Sequence, residues 1–419
     1  MDSFRAPHSP SSANHSPLSR RRKWRRCCER FSLVLGTLVL LLLGLELATR
    51  LFSHVTPPLL LNDPSVGTTY LPDFAGSVFI PESEREVWLR FNREGTRGPD
   101  VAYEKTPGVT RIAVVGDSMI AAVATDEEKT LVRRLEERLN TNQSGRRYEV
   151  VNFGISGSST GQELVLYRER VRKYQPDIVI CAFCVVNDLG DNCNRLTSNR
   201  GRIYFDVDDD GQLRQIPLSP GRARLNSWLN RYSRFYVWQK GATQRAIDTV
   251  RHKAVQWAAT IGHEATSLDS GGLGVFCTEP TEDVAYAWQV TEKLIEALAT
   301  DVRADGAEFM LAVIPSGVQV CDDIWPDVAK TAGGLPMDRE NPERVLAEIG
   351  QRLHAPVISM SEQFRAASPH HSKSYEDEWL FYDAIGHMND RGNDLAATAI
   401  CEALTTADQL SRANRDTAR

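Results

Sequence analysis

The chain has no internal repeat and no low-complexity tract beyond its first 19 residues, which excludes a solenoid or a repeat array. It also lacks G-x-S-x-G, so the nucleophile elbow of the α/β-hydrolases is missing. There is no basic surplus. The net charge is −6, and because residues 1–30 carry +6 from eight Lys/Arg and two Asp/Glu, the rest of the chain carries −12. So acidic a body argues against nucleic acid as a partner. Metal-ligand patterns fail on inspection. Cys181 and Cys184 form a C-x-x-C inside an apolar run, where they face opposite ways. Asp206, Asp208, Asp210 and Gly211 match the start of a calcium loop, but its last position, which needs glutamate, is Pro217. His370-His371 lies in the polar stretch SPHHSKS and reads as exposed. Cys193, Cys277 and Cys321 offer a disulfide if the compartment is oxidising.

One long apolar run is present. Residues 31–45 carry no charge, and continuing past Glu46 through Leu47, Ala48, Leu51 and Phe52 gives the length that a bilayer requires. Glu46 and Arg50 are one helical turn apart and can pair near the interface. The basic cluster before the run keeps the N-terminal side in the cytoplasm and puts the remainder outside it. A cleaved signal peptide would need a small-residue site after Leu45, and no A-x-A pattern stands there, so a retained single-pass anchor is favoured. The expected organisation is a basic tail at 1–30, a transmembrane anchor at 31–52, a linker and small β-rich lead-in at 53–110, and a main domain at 111–408 interrupted by an insertion at about 190–283.

Within the main domain five apolar runs, IAVVG, VVNFG, DIVICAFCVV, FMLAVIP and APVISM, alternate with helical patterns such as the Leu131, Leu135, Leu139 stripe. Such alternation predicts an α/β fold with a mainly parallel five-stranded sheet covered on both faces. In the insertion, RIYFDVDDDGQLRQIPL reads as a hairpin around Asp-Gly. The segment after it, with Trp228, Tyr232, Phe235, Tyr236 and Trp238, reads as a long helix or helix pair, either core or resting on a membrane or over the site.

The first run ends in Gly116-Asp117-Ser118-Met119, which lifts a hydroxyl above the carboxyl end of a strand, where open α/β sheets hold their ligands. A serine there is more often a helix cap or turn former. It becomes a nucleophile only beside a base and donors for an oxyanion. Those parts follow in order: Asn152-Phe153-Gly154-Ile155-Ser156-Gly157, then Val186-Asn187-Asp188, then FYDAIGHMNDRGNDLAA with His387. These four blocks together resemble the SGNH (GDSL-type) hydrolases, over roughly residues 111–405, with Met119 where that family usually has leucine and Val185 where it usually has glycine. The upstream FNREGTRGPD is similar to the lead-in of membrane-anchored members.

The resemblance implies a flavodoxin-like three-layer α/β/α sandwich. It further implies a serine esterase in which Ser118 is the nucleophile, His387 the base and Asp383 the acid, four residues before the histidine rather than the usual three. The Ser118 and Gly157 N–H groups and the Asn187 side chain would form the oxyanion hole. No cofactor or metal is called for. The expected substrate is an acylated small molecule or carbohydrate, acetyl esters among them, and the expected second partner is the bilayer through residues 31–52. Two further classes stand beside this one: an O-acyltransferase acting on envelope polysaccharide through the same serine, and a noncatalytic SGNH-like binding module.

Overall fold

The computed structural model describes residues 17–52, 58–141, 145–197, 202–216, 225, 228–240, 242–243, 272–331, 335–368, 379–382 and 386–417. The chain divides into two compact units, one made of Met1–Pro57 with Tyr232–Ala246 and one made of Pro58–Arg231 with Ile247–Arg419.

In the smaller unit the long helix α1 (Pro17–Phe52) contains a stretch, Cys28–Phe52, of mean hydropathy 2.3 that is long and apolar enough to cross a membrane. Glu46 near its end pairs with Arg50 at 2.7 Å, one turn on as the spacing predicts. Its carboxylate also accepts hydrogen bonds from the Ser233 hydroxyl and from the Arg234 and Phe235 N–H groups. Of the long aromatic helix expected in the insertion, residues 228–232, 234–240 and 242–243 are helical, and 244–271 lie outside the described residues.

The larger unit is built on a five-stranded parallel sheet formed by β5 (Val109–Gly116), β6 (Arg147–Gly154), β7 (Ile178–Cys184), β10 (Glu308–Ile314) and β11 (Val357–Ser359), in the order β11-β10-β7-β5-β6. These are the five apolar runs, and the order is that of a flavodoxin-like sheet, with its reversal of direction between β5 and β7. Two apolar cores lie on the two faces. On one, Ala113, Val115, Cys181 and Phe183 pack with α4 (Thr160–Glu169), α6 (Glu282–Ala304) and α7 (Asn341–Arg352). On the other, Ile112, Val114, Ile180 and Cys184 pack with α3 (Leu131–Thr141) and α8 (Asp390–Thr417). The strands read as unbroken apolar runs because both faces are covered. Cys181 and Cys184 fall on opposite faces, as their odd separation requires.

Between Pro58 and the sheet lie an antiparallel pair β1 (Leu60–Asp63) and β2 (Gly67–Tyr70) and a second pair β3 (Ala75–Ile80) and β4 (Arg85–Arg90). Val78, Val87, Leu89 and Phe91 form a third small core with Tyr70 and Ala121. The insertion contains the predicted hairpin, β8 (Phe205–Val207) against β9 (Leu213–Gln215), turned by Gly211 at φ +74°. One expectation is corrected. Cys193 and Cys321 form no disulfide; each is buried and packs as a small apolar group.

Gly154 at the end of β6 lies under the turn that follows β5. A Cβ there would meet the Ala121 N at 2.3 Å and the Ile120 C at 2.7 Å, backbone atoms with no freedom to yield. Gly154→Ala is therefore expected to cost on the order of 2 kcal/mol or more, as overpacking does. Thermal unfolding of the full chain in detergent, beside the wild-type chain, measures the cost.

Candidate active site

The sheet delivers its polar residues to one edge, beside the reversal point. β5 runs straight into a one-turn helix, α2 (Ser118–Ala121), whose N-cap Asp117 accepts from the Met119 N–H at 2.9 Å. The turn closes with Ala122 in the left-handed region at φ 47°, its N–H donating to the Ser118 carbonyl at 2.8 Å. Ser118 thus stands at the head of a helix N-terminus, half-buried. Its hydroxyl donates to Asp117 Oδ2 at 3.5 Å, the outer limit of a hydrogen bond.

The second block braces the first. Asn152 donates through Nδ2 to the Ile120 carbonyl at 2.8 Å and accepts from the Gly154 N–H at 2.8 Å, while the Ile155 N–H donates to the Gly116 carbonyl at 3.1 Å. Gly157 follows in the left-handed region at φ +74°. Among the described residues neither the Ser118 nor the Gly157 N–H donates to a protein acceptor, so both are free to meet an incoming anion. The third block follows β7, the strand beside β5. Asn187 donates through Nδ2 to Asp117 Oδ2 at 3.0 Å, with longer contacts of 3.4 Å to Asp188 and Asp191. One amide hydrogen is therefore firmly held and the other only loosely.

His387 reaches this edge from a loop closed by the Phe381–Met388 bridge and by the Tyr382 N–H donating to the His387 carbonyl at 2.9 Å. The Tyr382 hydroxyl donates to the Ala124 carbonyl at 2.9 Å, fastening the loop to the segment that follows α2. The imidazole lies near enough to Asp117 that its positive form lowers that carboxyl, although burial dominates and leaves Asp117 above its ordinary value. No hydrogen bond joins Ser118 to His387 among the described residues. Asp383 lies outside the described residues.

The partner seen on the His387 ring is one that the sequence did not suggest. Glu82, in the turn between β3 and β4, accepts from the His387 N–H through Oε1 at 2.8 Å and meets Nδ1 through Oε2 at 2.6 Å. Burial acts to raise the Glu82 carboxyl, but the two hydrogen bonds and the charge of His387 outweigh it and hold the group below its ordinary value. Two more lead-in residues grip the site. The buried Tyr70 hydroxyl bonds with the Ser156 hydroxyl and accepts from the Ser156 N–H at 3.2 Å. The buried Arg97 guanidinium, from the FNREGTRGPD segment, donates to the carbonyls of Ala121, Ala122 and Thr125, and desolvation lowers its pKa to about 10. A charged groove lined by Trp88, Arg90, Glu127, Lys129 and Arg133 holds none of these residues.

Behind the site lies a buried acid cluster. Glu163 on α4 is raised by burial and then by Asp117 to about 8, and it accepts from the Cys181 thiol at 3.4 Å. Asp188 is raised well above its ordinary value by burial and then by Asp117 and Glu163, while its carboxylate accepts from the Cys184 N–H at 2.7 Å. Glu163 and Asp188 each feel the charge of Asp117, so the ionisation of one acid in the cluster bears on the others.

No family model matches the chain, and no curated protein matches it. Solved structures do. An acetyl xylan esterase, AlAXEase, is 14% identical with a TM-score of 0.35, the match covering 70% of this chain and 98% of that one. The lipase/acylhydrolase from Enterococcus faecalis is 13% identical with a TM-score of 0.36, covering 71% and 96%. A mutant of Axe2, an acetyl-xylooligosaccharide esterase from Geobacillus Stearmophilus, is 11% identical with a TM-score of 0.36, covering 70% and 93%.

The acid cluster has a measurable consequence. Because the folded state raises Glu163 from 4.5 to about 8, its contribution to stability is whole below the first value and is lost as pH rises through the second. Glu163→Gln cannot ionise. The fall in Tm between about pH 6 and about pH 9 should therefore be smaller in this variant than in the wild-type chain, read by thermal unfolding in detergent.

Proposed function

We propose that this chain is a membrane-anchored serine esterase that cleaves acyl esters, acetyl esters among them, through an acyl-enzyme on Ser118. The observation that carries this reading is the pairing, at the reversal point of the sheet, of the Ser118 hydroxyl with two unengaged N–H groups and the Asn187 amide. Such a set of donors suits a carbonyl that gains negative charge. The four-block resemblance supports the same chemistry.

In this reading Ser118 Oγ attacks the ester carbonyl carbon and His387 Nε2 takes its proton. The carbonyl oxygen, now negative, is received by the Ser118 and Gly157 N–H groups and by the loosely held hydrogen of Asn187. Collapse of the adduct breaks the ester C–O bond, and His387 returns the proton to the leaving alcohol. Water, deprotonated by the same imidazole, then attacks the acyl carbon; the bond from that carbon to Ser118 Oγ breaks, the imidazole returns the proton to Oγ, and the acid leaves. The imidazole needs a carboxylate at Nδ1 to hold its tautomer. Asp383, assigned by the resemblance, and Glu82, bonded to the ring, are the two candidates. The apolar stretch Cys28–Phe52 serves as the single-pass anchor, with the N-terminus cytoplasmic and the larger unit on the extracytoplasmic side.

The test is turnover of a short-chain aryl acetate by the full chain in detergent. Ser118→Ala should abolish turnover above background and abolish covalent labelling by a fluorophosphonate. Asn187→Ala should slow kcat by roughly 10² to 10³, the usual effect of losing one oxyanion donor. Equal rates for wild type and Ser118→Ala would remove the proposal. Adding a sugar hydroxyl acceptor reports whether the acyl group passes to water or to carbohydrate.

A further inference from the structure

We propose that Glu82 is the positioning residue that holds the His387 imidazole for catalysis, in the place that the resemblance assigns to Asp383; this rests on the esterase reading above. A carboxylate fixes an imidazole best when it also fixes the backbone that carries it. Glu82 does both, one oxygen on the His387 N–H at 2.8 Å and the other on Nδ1 at 2.6 Å. With Nδ1 so engaged, the ring proton stays on that atom, and Nε2 keeps the lone pair that must receive the Ser118 proton.

The hairpin that supplies Glu82 is built to stay in place. Arg85, three residues on, pairs with Asp126 at 3.0 Å and with Asp390 at 3.3 Å, and donates to the Ala124 carbonyl. Asp390 begins α8, three residues beyond His387, and also pairs with Lys129 at 2.7 Å. Arg90 at the far end of β4 pairs with Glu127 at 2.7 Å. Val78, Val87 and Leu89 pack against Ala121, the last residue of the helix that begins with Ser118. The carboxylate, the imidazole and the serine turn are thus fastened to one another by separate contacts. Glu82 itself is an anion throughout the range in which an imidazole titrates, since its pKa lies below the ordinary carboxylate value.

The experiment compares Glu82→Gln, Glu82→Asp and Asp383→Asn with the wild-type chain in detergent. It reads kcat and KM on the aryl acetate, Tm, and the ¹⁵N shifts of the His387 ring, assigned with His387→Gln. Glu82→Gln keeps an oxygen for the His387 N–H but presents an amide donor to Nδ1, forcing the proton to Nε2. The expected result is a fall in kcat of up to about 10⁴, the loss that an acid-to-amide change gives in a Ser-His-Asp triad. KM should stay within about threefold and Tm within a few degrees, with partial recovery in Glu82→Asp and less than a tenfold loss in Asp383→Asn. A kcat for Glu82→Gln within about threefold of wild type, with collapse in Asp383→Asn, would overturn the proposal. If the wild-type chain shows no Ser118-dependent turnover, the esterase reading fails while the ring shifts still decide. A move of the proton from Nδ1 to Nε2 in Glu82→Gln supports the assignment of Glu82, and an unchanged tautomer refutes it.

Discussion

The chain passes from strand to helix at Gly116-Asp117-Ser118 within a single residue, and the surroundings of the site are arranged to hold that turn. A helix of one turn cannot sustain itself, because nucleation is costly and too few bonds follow. It survives here through outside support: the Asp117 cap, the Asn152 amide on the Ile120 carbonyl, the Arg97 guanidinium on the Ala121 and Ala122 carbonyls, and two close-lying glycines beneath. The turn places a hydroxyl above the sheet only because other segments satisfy the carbonyls that the helix leaves open.

The sheet itself was legible from the amino acids. Strands buried on both faces must be apolar throughout, so β5, β6, β7, β10 and β11 announce themselves as short runs without charge, each followed by a helical pattern. The positions of Ser118, Gly157 and Asn187 were legible as well, two or three residues past the ends of β5, β6 and β7, since parallel strands carry such loops at one edge of the sheet. The Glu82 contact was not. It joins residues 305 positions apart, and a glutamate in a Pro-Glu-Ser-Glu turn carries no periodic or spacing signal of its partner. The Arg97 contacts, 24 to 28 positions along the chain, carry no spacing signal either, although Arg97 lies within FNREGTRGPD. The expected cysteine pairing failed because thiols also serve as small apolar packing groups, and composition alone does not separate the two uses.

The acids behind the serine serve a different purpose from the residues in front of it. Asp117 caps α2 and holds the Asn187 amide; Asp188 holds the Cys184 N–H; Glu163 accepts from the Cys181 thiol. Burial raises all three above their ordinary values, so ionising them together is costly.

The grip of the lead-in on the last loop bears on how the molecule is made. Glu82 is among the first residues of the larger unit to be synthesised and His387 among the last, and the Leu131 N–H likewise waits for Asn393, 262 positions later. Contacts at such separation carry the greatest loop-closure cost and form late in folding. In the esterase reading proposed above, a nascent or truncated polypeptide therefore builds most of its sheet while Ser118 stays without an ordered base, and reactivity waits until both ends of the unit have met.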